Sequence, residues 1–141
     1  MNAPARSGIS VAARLESLAA IRAFVEEACR RAGAAPSDAF DLKLAVDEAC
    51  TNVIEHGYRG RLDGTIALEC EAGADAIRVT IVDRGRPFAP GEVAEPDLEA
   101  DWQSRRIGGL GWHLIRKSVD EIHYAPDASG GNRLTLVKRS R

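Results

Sequence analysis

The chain of 141 residues has no surplus of either charge: 19 Lys and Arg stand against 21 Asp and Glu, a formal net charge of −2. Broad nucleic-acid binding usually shows as a basic excess, so no direct nucleic-acid contact is expected. No apolar run approaches the ~20 residues of a membrane helix, and no membrane partner is expected. The opening stretch "MNAPARSGISVAARLESLAA" lacks the apolar core of a secretory signal. Cysteine is sparse. Cys29, Cys50 and Cys70 form no Cys-x-x-Cys pair, which argues against zinc. They read as reduced, partly buried thiols, and a cytoplasmic setting is expected. Repeats and low-complexity tracts are lacking too. What is there is 45% hydrophobic and 28% charged, the balance of one domain with a single core.

Apolar residues at Leu15, Leu18, Ile21, Val25 and Ala28 recur with helical period, which predicts a helix over 15–32 stopped by Gly33. Pro36 and Ser37 open a second helix that runs to about His56. "GTIALEC" and "AIRVTIVD" read as a hairpin, and "EIHYAP" and "NRLTLVKR" as two last strands round "DASGGN". A short strand is expected at 9–13 and a helix at 109–119. Between Arg84 and Ile107 lie three prolines and mixed charge, a long loop of the kind that is usually functional. Helices do not alternate with strands, so the expected fold is α+β, a mixed and mostly antiparallel sheet with helices on one face.

Three stretches bear on chemistry. "GGLGWHLI", residues 108–115, puts glycines at a helix start, where backbone N–H groups can face an anion. It is neither a dinucleotide fingerprint nor a P-loop. The second helix carries Glu48 and Asn52 one turn apart on a polar stripe. A carboxylate can act as a base, and an amide oxygen is a neutral hard ligand that suits Mg²⁺. A solvated helix face shows the same spacing. Mid-helix Asn is, however, an unfavourable residue, which favours a specific task for Asn52. Asp83 ends an apolar strand and is followed by Gly85 and Pro87. This is an acceptor where a ring could approach the backbone, or a simple turn.

Taken in order, "AVDEACTNVIEHGY", "VDRGRPF", "GGLGWHLIRKSVDEIHY" and "GNRLTLVKR" resemble the GHKL ATPase superfamily with its Bergerat fold. Within it they look most like the bacterial anti-sigma factor serine/threonine kinases of the RsbW type. The resemblance covers residues 9–139, leaving 1–8 as a flexible N-terminus and 86–107 as an ATP lid. It implies ATP and Mg²⁺ as cofactors. Glu48 would be the general base and Asn52 the Mg²⁺ ligand. Asp83 would bond the adenine amine, with Gly85 beneath the ring. Gly109 and Gly111 would cradle phosphates, and Thr135 would help hold Asp83 and adenine. The implied partners are a sigma factor and a STAS-domain anti-anti-sigma protein, with the chain itself a homodimer. A nucleotide-gated binding module without phosphate transfer is the alternative. The catalytic domain of a histidine kinase ranks lower, since a phosphoacceptor helix is not expected ahead of the ATP boxes.

Overall fold

The computed structural model describes residues 5–58, 63–85, 109–127 and 130–140. Strand β1 (Ala5–Ala12) leads through a short 3₁₀ turn at Leu15–Ser17 into α1 (Leu18–Ala32). Helix α2 (Pro36–Asn52) continues into one π-helical turn, Val53–Gly57. The hairpin β2 (Thr65–Ala72) and β3 (Ala76–Asp83) follows. Helix α3 (Gly109–Ser118), β4 (Glu121–Pro126) and β5 (Asn132–Arg139) close the chain. The five strands form one sheet in the order β1-β2-β3-β5-β4, and every pairing among them is antiparallel.

The expected elements are present, with shifts at their ends. The N-terminal strand begins at Ala5, not residue 9, so residues 5–8 belong to it and pair with β2 from Ala72 to Glu69. Only the last part of that strand alternates in hydrophobicity, which hides its start. The first helix has its first turn wound as 3₁₀, with Leu15 exposed. Pro36 opens α2 at its first turn, where a missing N–H costs no helix bond.

One sheet face is covered by the helices. Ile77, Val79 and Ile81 of β3 and Leu134 and Leu136 of β5 point into it, alternating with residues on the opposite face, as strand period requires. They meet Ile21 and Val25 of α1, Leu42 and Val46 of α2 and Ile115 of α3, all fully or almost fully buried. Each such side chain contributes roughly 1.5–3 kcal/mol by leaving water. Lys138 shares that face. Its Nζ donates to Asp41 Oδ2 at 3.1 Å and to the carbonyl of Ser118 at 3.0 Å, tying β5 to α2 and to the C-terminal end of α3. No described helix is long and apolar enough to cross a membrane.

Candidate functional site

At one end of the covered face, the C-terminal end of α2, the start of α3 and the ends of β3 and β5 converge. Ala49, Asn52, Val53, Gly57, Ile81, Asp83, Trp112, Tyr124, Asn132 and Leu134 line a narrow cavity of about 30 Å³ there. That is room for a water molecule or two.

Asn52 is 8% exposed, and its Nδ2 is buried with no hydrogen-bond partner among the described residues. A buried amide left unsatisfied costs about 1–3 kcal/mol, which makes Asn52 a candidate ligand contact. Rotating the amide would turn its oxygen to the same place, which suits a hard cation. The π-helical turn begins at the next residue, Val53, and such turns recur at functional sites. Glu48 lies one helical turn before Asn52 and is half-buried. Burial, with Asp47 and Glu55 adding negative charge, raises its pKa above the ordinary carboxylate value.

Asp83 is buried at the end of β3. The backbone N–H of Gly85 donates to its Oδ1 at 2.8 Å, and Asn132 Nδ2 donates to the same oxygen at 3.0 Å. Burial raises its pKa, and these two donors oppose the rise. Oδ2 receives no described hydrogen bond. The strand end is fixed from below by Tyr58, whose hydroxyl accepts from Arg84 N–H at 2.8 Å and donates to the Thr65 carbonyl at 2.7 Å. Gly85 is packed against the backbone of Gly57. A Cβ there would lie 2.7 Å from the Gly57 carbonyl carbon, so its immediate role is to let the π-helical turn and the strand end touch. Gly131, at φ +90°, lies so close to Asp83 that a Cβ would overlap the Asp83 carbonyl oxygen.

The structure therefore brings together Asn52, Asp83 and Gly85, with Glu48 one turn away on α2. Helix α3 starts at Gly109 and has Gly111 in its first turn. Trp112, which follows, is buried in the cavity wall. Thr135 is not part of this group. It pairs with Thr80 across the β3–β5 ladder, their hydroxyls 3.4 Å apart, on the opposite face of the sheet. It stands three residues after Asn132, an odd offset that reverses the face. The residue that holds Asp83 is Asn132. Its shared parity with the buried Leu134 and Leu136 is the sequence signal for this. The lid assigned to 86–107, and Gly108, lie outside the described residues.

The three cysteines are free and buried, as expected. Burial raises the Cys50 thiol above its ordinary range and pushes Cys70 to about 11. Both therefore stay protonated and unreactive near neutral pH.

Residues 11–138 match the family model described as the histidine kinase-like ATPase domain. The chain is an RsbW-like member of that family. Over 96 residues it is 36% identical to the serine-protein kinase RsbW of Listeria monocytogenes, covering 65% of this chain and 61% of that protein. Over 106 residues it is 29% identical to the anti-sigma F factor of Clostridium beijerinckii, covering 70% and 69%. The chain thus spans about three-fifths of the Listeria relative. The fold is shared with the crystal structure of the RsbU and RsbW domains of a Mycobacterium tuberculosis protein. There the TM-score is 0.65 at 22% identity, over 97% of this chain and 33% of that one.

Proposed function

We propose that this RsbW-like chain is an ATP-dependent serine/threonine protein kinase acting as an anti-sigma factor. It sequesters a sigma factor and phosphorylates a STAS-domain anti-anti-sigma protein, working as a homodimer in the cytoplasm. The kinase and anti-sigma names carried by its relatives support this. The observation that carries it is the buried amide of Asn52, unpartnered among the described residues, one helical turn from Glu48 and sharing a cavity wall with Asp83.

In this proposal Asp83 accepts from the adenine amine through Oδ2, and Gly85 helps hold Asp83 through its N–H. The N–H groups of the first turn of α3, from Gly109 through Gly111, donate to phosphate oxygens, where the helix end favours negative charge. Asn52 would hold Mg²⁺ through its amide oxygen, and the cation would supply charge neutralisation beside the phosphates. No group of three or more His, Cys, Asp or Glu able to hold a metal occurs among the described residues. A cation held by one amide and by phosphate oxygens needs none. Glu48 takes or orients the proton of the acceptor hydroxyl, and its raised pKa makes it a stronger base than an exposed glutamate. Trp112 is the largest side chain in the wall that the base would meet.

The test separates binding from transfer. Glu48→Gln is expected to bind Mg·ATP within about threefold of the parent while phosphate transfer to the STAS protein falls by about 10²–10⁴. Undiminished transfer in this variant would remove Glu48 from the role.

A further inference from the structure

The proposed site contains a relay of side-chain hydrogen bonds. It runs from the edge strand β4 to the carboxylate of Asp83. The Tyr124 hydroxyl donates to Asn132 Oδ1 at 2.5 Å. Asn132 Nδ2 then donates twice, to Asp83 Oδ1 at 3.0 Å and to the Gly85 carbonyl at 3.1 Å. Each contact fixes the next. Tyr124 orients the Asn132 amide with its NH₂ toward Asp83, and a carboxylate and a carbonyl can only accept. A hydroxyl side chain at position 132 has one hydrogen and would satisfy only one of the two acceptors.

Both donors to Asp83, Asn132 Nδ2 and Gly85 N–H, converge on Oδ1. They pin the carboxylate rotor and keep Oδ1 engaged, so that only Oδ2 is left for a ligand. They also favour the ionised form against the burial that disfavours it. An ionised Oδ2 is acceptor-only. It attracts the 6-amino group of a purine and opposes the lone pairs of a 6-oxo group.

We infer that Asn132, oriented by Tyr124, is the positioning residue that sets base selectivity at this site, admitting 6-amino purine nucleotides and refusing 6-oxo ones. The inference rests on the proposed nucleotide site and adds to it two residues, Asn132 and Tyr124. Neither touches the base; they act through Asp83. Loss of the relay frees the carboxylate to rotate and to hold a proton, and a protonated carboxyl can donate to a 6-oxo group. Selectivity then falls without equal loss of binding.

The experiment is calorimetric titration of the intact chain with Mg·ATP and Mg·ITP, which differ at the 6-position. The parent, Asp83→Asn, Asn132→Ala and Tyr124→Phe are compared, with the melting temperature of each. The parent is expected to prefer ATP by about tenfold or more. Asn132→Ala is expected to bring the ratio near one by weakening ATP, with ITP changed by no more than about twofold. Tyr124→Phe, which preserves the ring, is expected to reduce the ratio about threefold. If Asn132→Ala does not fold, Tyr124→Phe decides alone. A full ATP preference in both relay variants, with Asp83→Asn losing it, would overturn the relay and leave the site intact. Equal loss of both nucleotides in step with melting temperature would reduce Asn132 to a structural residue and overturn the inference too. An unchanged ratio in Asp83→Asn would instead sink the underlying assignment of Asp83 to the base.

Discussion

Glu48 answers two opposed demands. Its charged form is disfavoured by partial burial and by Asp47 and Glu55, so its folded pKa lies above the unfolded value. Such a group contributes stability that is fully present below the unfolded pKa and is lost as pH rises through the folded one. At neutral pH the native chain therefore carries this carboxylate at a cost. Glu48→Gln is expected to raise the melting temperature at pH 7 by about 2 °C and to give no gain well below pH 4, as differential scanning calorimetry would read. The same shift sets a kinetic sign. A base must be ionised, so transfer should fall on the acid side with a midpoint above the ordinary 4.5. A melting temperature that drops at pH 7, or an acid limb at or below that value, would contradict the assigned environment. Asn52 shows a related cost: its buried Nδ2 has no partner among the described residues.

Several elements meet at the candidate site, and they depend on a close backbone contact. The π-helical turn Val53–Gly57 brings Gly57 against Gly85, while Tyr58 bonds both Thr65 and Arg84. Gly85→Ala would force a Cβ to within 2.7 Å of the Gly57 carbonyl carbon. It is expected to cost about 1–3 kcal/mol in urea unfolding and to displace the Gly85 N–H from Asp83. An unchanged midpoint would mean that the two segments separate freely. The contact was not legible in the sequence, where Gly57 reads only as a helix stop and Gly85 only as turn or ring support. The hairpin was legible because Ile66, Leu68 and Cys70, and Ile77, Val79 and Ile81, recur at every second position. The early part of β1 was not, since "ARSG" carries no alternating signal. Thr135 was assigned to the site by the resemblance of its box. Strand parity puts it beside Thr80 and puts Asn132 beside Asp83. Glu48 and Asn52 were legible as neighbours from helical spacing, but the burial that distinguishes them from a solvated face depends on what the helix packs against.

The described residues form a single sheet with two unlike faces. One is covered by α1, α2 and α3 and ends in the cavity beside Asn52 and Asp83. The other bears Arg6, Glu71, Arg78, Thr80 and Thr135. Nucleotide is expected to bind at the end of the covered face. The most direct test is heteronuclear NMR of the labelled chain titrated with Mg·ATP. The backbone amides of Asp83, Gly85, Gly109, Gly111 and Asn132 and the side-chain amide of Asn52 are expected to shift most, with Arg6, Glu71 and Arg78 little changed. Shifts centred on Thr80, Thr135 and the residues around them, with Asn52 and Asp83 unmoved, would place the ligand on the opposite face and contradict the account.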